Sequence, residues 1–361
     1  MTNNSSSSPK QNIGKTILED LGRGDFERSM KRDFRELRDF MLTEEREKRL
    51  KEMRTVKRAL FISWWFLEGL VLKLTPARRI LLLVAVLFIV SSWGKNGDEG
   101  LHLLGALVLL FIIMLELKDK LIAHEELEAG HAVQNALMPE RTPLVPGWGL
   151  WLFTRSANEV GGDLVDFINI NSERAGVTLG DIAGKGLRAA LLTAKLQATI
   201  RALAPDLPSL SQLGQKLNFI FCRDSLPNLF ASVVYLEVQP DMGSVRLVNA
   251  GHLPPIIVRS GQLEKTEKGG MALGLSTQAV FQEQHIELKT NDMLFVYSDG
   301  VTEARNEQGA FFGEQKILDL LPQLATYTPQ QIGERLLAEI DRFIGYARAY
   351  DDITIAILKR L

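Results

Sequence analysis

The chain has 361 residues, 46% hydrophobic and 24% charged, which is too long for one ordinary domain and apolar enough for a packed core. The net charge of −2 hides an asymmetry: residues 1–79 carry 18 Lys/Arg against 12 Asp/Glu, so a basic head precedes an acidic body. That balance argues against nucleic acid as a partner of the body and suits a head that faces anionic lipid.

Residues 1–24 open on an Asn/Ser-rich run with no apolar secretory stretch and are expected to be a disordered tail. Residues 25–117 read as a helical, membrane-associated region. In 25–58 the charges are dense, and Phe34, Leu37, Phe40 and Met41 recur at helical spacing. Three apolar stretches follow. The first, 59–74, contains Trp64 and Trp65 but also Glu68 and Lys73. A charge at the bilayer centre costs about 2.5–3.5 kcal/mol, so this stretch is placed at the membrane surface. The second, 80–93, has no charge, and the third, 101–117, has none before Glu116. Each is shorter than the roughly 20 residues that span a bilayer comfortably, yet their tight pairing around 94–100 reads as a transmembrane hairpin. A buried hairpin in a soluble bundle is the alternative. Arg78, Arg79, Lys118 and Lys120 flank the pair, which under the positive-inside rule puts both ends in the cytoplasm and the protein in the cell inner membrane. Residues 118–143 form a linker helix stopped by Pro139 and Pro143; its stripe of Ile122, Ala129, Ala132 and Ala136 offers a possible homodimer seam.

From Trp148 the pattern changes. Strand-like runs fall at 148–155, 164–169, 175–179, 231–238, 244–249, 256–259, 281–288, 293–297 and 353–358, and helical runs at 187–203, 210–222, 314–321 and 329–346. Strands that follow one another directly favour antiparallel pairing, and the helices come in pairs. An α+β fold with two stacked antiparallel sheets flanked by helix pairs is expected over 144–361. The lone cysteine, Cys222, excludes an internal disulfide and a CxxC zinc site, and it reads as a packed helix residue in a reducing compartment.

Four acidic spots share one pattern, an aspartate at a strand end or beside glycine: Gly161-Gly162-Asp163, Gly180-Asp181-Ile182 running into Ala183-Gly184-Lys185-Gly186, Ser298-Asp299-Gly300, and Asp351-Asp352-Ile353-Thr354. One such spot is ordinary turn chemistry. Several converging carboxylates, without histidine or cysteine, would make a hard oxygen site suited to Mg²⁺ or Mn²⁺. Two such ions about 3.5–4 Å apart can activate a water and clamp a phosphoryl group. Gly184, Lys185 and Gly186 open a helix whose N-terminus favours an anion, which makes them candidate substrate-binding residues. His252, between glycine and prolines, reads as loop structure with a proton-donor role left open, and Asp166 reads as structural.

The run Gly180-Asp181-Ile182-Ala183-Gly184-Lys185-Gly186-Leu187-Arg188-Ala189-Ala190-Leu191 resembles a signature of PPM-type metal-dependent protein phosphatases, in particular their bacterial SpoIIE-like branch. Four further signatures follow that branch in order: Gly161 to Asp166, Asn249 to Pro255, Tyr297 to Ala304, and Asp351 to Thr354. Val133-Gln134-Asn135-Ala136-Leu137-Met138-Pro139 is similar to the helix end that precedes such domains. The resemblance implies a serine/threonine phosphatase with two Mn²⁺ or Mg²⁺ ions. Asp181 would bridge them, with Asp299 as its catalytic companion. Ile182 would ligate through its carbonyl, Asp299 and Asp351 from strand ends, Asp163 directly or through water, and Asp352 as the weaker of its pair. It also implies a phosphorylated regulatory partner such as an anti-sigma antagonist. Tyr350 departs from the pattern, where a polar residue is usual, and no arginine stands in the phosphate-gripping place of eukaryotic relatives. A phosphoprotein-binding scaffold without activity, and a phosphodiesterase or nucleotide hydrolase using the same metals, are the competing readings; the latter lacks any GxxxxGK[ST] loop.

Overall fold

The computed structural model describes residues 55–91, 99–224 and 229–361. The expected tail, most of the charged helix over 25–58 and most of the 94–100 connection lie outside the described residues. The chain divides into two compact units, Met1–Lys120 and Leu121–Leu361.

In the first unit, α1 (Thr55–Lys73) and α2 (Pro76–Ser91) are separated by a two-residue break. Pro76 lacks the N–H that α1 would need to continue, and it suits the first position of α2. Arg79 caps the end of α1, donating to the carbonyls of Val71 (3.0 Å) and Leu72 (2.5 Å). α3 (Glu99–Leu137) begins here and is 39 residues long, roughly 58 Å at 1.5 Å per residue. α2 and α3 form the expected helical hairpin. A Cβ on Gly105 would stand 2.8 Å from the Ile89 side chain, so the helices touch where α3 has no side chain. At the other end Arg78 holds Glu116 and Asp119, each at 2.6 Å. Leu103, Leu107, Leu110, Ile113 and Leu117 on α3, and Ile80, Leu83 and Leu87 on α2, are exposed. Among the described residues, the stretch Gly100–Leu137 alone is long and apolar enough to cross a membrane; α2 has 16 residues.

No break separates the third apolar stretch from the linker: α3 runs through both and stops at Leu137, earlier than the 143 expected. The stop precedes Pro139, whose ring disfavours helical backbone in the residue before it.

The second unit has two five-stranded antiparallel sheets. One has the order β1 (Trp148–Arg155), β10 (Ile353–Arg360), β9 (Met293–Tyr297), β6 (Ile256–Arg259), β7 (Gln262–Lys265). The other runs β2 (Asp163–Asn169), β3 (Ala175–Ile182), β4 (Ala231–Val238), β5 (Ser244–Ala250), β8 (Glu283–Glu287). Alternate residues of each central strand face opposite sides. Leu150, Leu152, Val177, Leu179, Val234, Leu236, Val296 and Ala356 fill the space between the sheets. Trp151, Phe295, Ile355 and Ile357 point outward under α7 (Glu314–Leu324) and α8 (Pro329–Ile344). Ile182, Val233 and Tyr235 do the same under α4 (Leu187–Leu203) and α5 (Leu210–Asp224). The layering is helix pair, sheet, sheet, helix pair, because central strands buried on both faces need a cover on each.

Two elements were not expected. β7 is a polar edge strand with no apolar alternation, and its partner β6 supplies the register. A one-turn helix, α6 (Asp299–Thr302), follows β9 directly. α8 carries a full capping box, with Thr328 and Gln331 bonding reciprocally and Pro329 in the first turn. Cys222 lies in α5 with its Sγ 3.6 Å from Asn218 Oδ1, a packed residue as expected.

Candidate metal centre

Both sheets contribute carboxylates to one end of the sandwich. From the second sheet come Asp163, the first residue of β2, and Asp181, one residue from the end of β3; they are direct cross-strand partners. Side chains so paired share a face with Cβ atoms about 4.5–5.5 Å apart, and like charges there repel. From the first sheet come Asp299, which follows β9 and opens α6, and Asp351, which precedes β10. β9 and β10 are adjacent and antiparallel, so the end of one and the start of the other meet.

The electrostatics report the convergence. Asp181 is pushed up to about 7, first by burial and then by the charges of Asp299, Asp351 and Asp352, with Lys185 opposing. Burial also raises Asp163 well above the ordinary carboxylate range, helped by the charges of Asp181 and Asp352. Asp299 is raised by burial, then by Asp351 and Glu303. Asp163 Oδ2 is buried and meets no donor. Like charges held together with one oxygen orphaned are what a hard divalent cation would satisfy, and the donor set is all oxygen. Among the described residues no group of three or more His, Cys, Asp or Glu side chains is close enough, as the side chains stand, to hold a metal ion. Asp181 and Asp299 line a cavity of about 530 Å³ that continues past Phe230, His252, Pro254 and Lys268.

Asp352 does different work. Its Oδ1 accepts the Ala157 N–H at 2.7 Å, and its Oδ2 accepts those of Gly162 (2.7 Å) and Asp163 (3.3 Å). With both oxygens engaged by backbone donors, it ties the loop before β2 to the start of β10. Asp351 is the member of the pair whose charge bears on both Asp181 and Asp299. Gly300 makes the junction possible: a Cβ there would stand 1.9 Å from the Asp352 carbonyl oxygen. Ser298 completes it, donating through Oγ to Asp352 O (3.2 Å) and accepting from Thr354 N (3.0 Å).

Ile182 buries its side chain in the core beneath α4 and α5, which leaves its backbone as the group available to the site. Beyond it Gly184 (φ 116°) and Gly186 (φ 75°) take backbone conformations that L residues avoid and turn the chain sharply into α4. Lys185 between them is exposed, donating to Tyr350 O at 3.0 Å and pairing with Asp351 Oδ2 at 3.4 Å. The loop before β2 is held from a second side by Gln134, whose side chain donates to Gly161 O (2.9 Å) and accepts from Gly161 N (3.1 Å). Asp166 is structural as expected: buried, it accepts from Arg201 and Gln197.

His252 was read as loop structure, and the exchange of hydrogen bonds between its backbone and Asn249 bears this out. It also lines the cavity that Asp181 and Asp299 line. Burial lowers it to about 4, so it is neutral near pH 7; its Nδ1 lies 3.2 Å from Ser232 Oγ and its Nε2 has no partner. Phe230 and Lys268 were not singled out by sequence. They sit in loops before β4 and after β7, and no local pattern ties them to the aspartates.

Residues 171–361 match the family described as Stage II sporulation protein E (SpoIIE). The chain is 24% identical over 306 residues to Protein IcfG of Synechocystis sp., covering 74% of this chain and 47% of that protein, so it spans about half of that relative's length. It is 23% identical over 237 residues to the phosphoserine phosphatase RsbU of Bacillus subtilis, covering 65% of this chain and 70% of that one. The fold is that of the SiaA-PP2C domain of Pseudomonas aeruginosa, with a TM-score of 0.59 and 17% identity over 67% of this chain and 98% of that one. Matched over more than half its length, and carrying the two-sheet sandwich of the SiaA-PP2C domain, the chain belongs to the SpoIIE family.

Proposed function

We propose that the protein hydrolyses phosphoserine or phosphothreonine on a partner signalling protein, with two Mn²⁺ or Mg²⁺ ions held by Asp181, Asp299, Asp351, Asp163 and the Ile182 carbonyl. The observation that carries this is the set of mutually repelling carboxylates from both sheets, with one buried oxygen unpartnered. When bound, the cations supply charge for the phosphoryl oxygens and an activated water for in-line attack. The chain's own part is to fix its ligands. Asp352 clamps the loop that carries Asp163, and Gly300 lets the Asp299 turn close on Asp352. Gly184, Lys185 and Gly186 present the exposed start of α4 to an anion beside Asp351. Neutral His252 provides a protonatable nitrogen in the cavity wall.

The substrate is a phosphorylated regulatory protein, a reading that the likeness to the phosphoserine phosphatase RsbU favours; the motif resemblance suggests an anti-sigma antagonist as its type. The catalytic domain is cytoplasmic, beneath the cell inner membrane; the exposed leucines and isoleucines of α2 and α3 favour lipid around the hairpin, and the flanking arginines and lysines favour this orientation. Exposed Ile122, Ala129, Ala132 and Ala136 on α3 favour a homodimer through the linker. The test is phosphate release from a phosphoserine protein by the full chain in detergent with Mn²⁺. Turnover lost in Asp299→Ala supports the reading; tight binding without turnover would favour a scaffold.

A further inference from the structure

Beside the acidic centre lies a cation that the proposed chemistry does not use. The Arg305 guanidinium sits 3.5 Å from the centroid of the Tyr350 ring and 4.7 Å from that of Phe311. Tyr350 is the position that departs from the family pattern, and it adjoins Asp351 in the chain. Lys185 Nζ lies 5.0 Å from the same ring, so Tyr350 joins two cations to the edge of the site.

Arg155, Arg201 and Arg259 each pair with a carboxylate. Arg305 pairs with none among the described residues, and its Nε is buried without an acceptor. Glu307, two residues on, accepts from the Tyr346 amide instead. The turn that carries Arg305 does not need its side chain. Asn306 N donates to Ala310 O (3.0 Å), Asn306 Oδ1 accepts from Gln308 and Ala310, and Phe312 N donates to Ala304 O (2.8 Å). Yet Tyr350 and Phe311 are 41% and 51% exposed, so the stack is at the surface. Aromatic faces strip water from a guanidinium without neutralising it, and a charge so held gains most from an anionic oxygen partner.

We propose that the Arg305–Tyr350–Phe311 stack binds a carboxylate-bearing segment of the substrate protein, next to the phosphoserine that enters the acidic site. This rests on the phosphatase reading above and adds a sequence preference to it: Asp or Glu flanking the phosphorylated residue. The phosphate itself is the other source of anionic oxygen, and the test separates the two.

Two peptides carrying a non-hydrolysable phosphonate analogue of phosphoserine, one flanked by Asp/Glu and one by Asn/Gln, are titrated by fluorescence anisotropy into the full chain in non-ionic detergent. The acidic peptide is expected to bind the wild type about tenfold more tightly, a typical value for one charged contact. Arg305→Met, which keeps an apolar stem between the rings, is expected to erase that preference while leaving the neutral peptide unchanged. Arg305→Lys should restore part of it. Turnover of p-nitrophenyl phosphate, which has no flank, should stay within about twofold in Arg305→Met. Equal binding of the two peptides by the wild type overturns the proposal. So does an Arg305→Met loss shared by the neutral peptide and p-nitrophenyl phosphate, which would make Arg305 a phosphate grip. Should Arg305→Met fold poorly, Arg305→Gln carries the same comparison. Absence of wild-type turnover would count against the phosphatase reading alone, because the binding comparison needs none.

Discussion

Replacing Asp181 by Asn should abolish catalysis and at the same time stabilise the metal-free protein. Its carboxyl is partly buried, has no side-chain hydrogen bond among the described residues, and is raised from 3.8 to about 7 by burial and by Asp299, Asp351 and Asp352. An acid whose pKa is raised by folding binds more protons folded than unfolded between those values, so stability falls as pH rises through that window. At 1.36 kcal/mol per unit, the full cost above pH 7 is about 4 kcal/mol, and relaxation and water near a partly exposed group reduce it to roughly 2–4 kcal/mol. For a unit of this size that corresponds to about 4–16 °C in Tm. The assay is thermal unfolding of chelator-treated wild type and Asp181→Asn at pH 8 and pH 5. The variant should melt higher at pH 8, and the gap should shrink at pH 5, where the folded carboxyl is already protonated. A variant that melts lower than wild type at pH 8 without metal would refute the claim that these charges repel one another.

The other expectations concern the frame around the site. Asp352→Ala removes the acceptor for three backbone N–H groups, two of them fully buried, and should cost about 3 kcal/mol or more, read as a lowered urea midpoint with activity lost as well. Gly300→Ala places a methyl 1.9 Å from the Asp352 carbonyl oxygen and should lower Tm by 10 °C or more, or prevent soluble expression. Mn²⁺ affinity, measured by calorimetry, should rise steeply from pH 5.5 to pH 7.5 and then level off, because protons compete for Asp181 up to about 7. An affinity flat across that range would remove Asp181 from the ligand set.

Much of the body was legible from sequence because its elements are strongly patterned. The runs at 148–155, 231–238 and 293–297 are apolar on both faces and recur as β1, β4 and β9 with the same limits. β7 escaped because Gln262-Leu263-Glu264-Lys265 has no alternation and owes its conformation to β6. The third apolar stretch and the linker read as two elements because composition changes at Lys118, but helical backbone is indifferent to that change and α3 runs through it. At the site, the four acidic spots could be found from their glycines and strand ends, whereas their convergence is a property of register: Asp163 faces Asp181 only because β2 and β3 pair as they do. The resemblance marked Asp352 as the weaker ligand of its pair, but its clamping role was not legible, since it depends on N–H groups from Ala157, Gly162 and Asp163, about 190 residues away in the chain. His252 stood out within the Asn249 to Pro255 signature, whereas Phe230 and Lys268 meet it at the cavity through loops whose spacing carries no signal.

The measurement that bears most directly on the account is hydrolysis of p-nitrophenyl phosphate by the full chain in detergent, titrated with Mn²⁺ and repeated with Asp181→Asn and Asp299→Ala. The account predicts turnover that saturates with metal, falls to background with chelator, and drops at least 100-fold in each variant while both stay folded. Metal-independent turnover, or full activity in either variant, would contradict it.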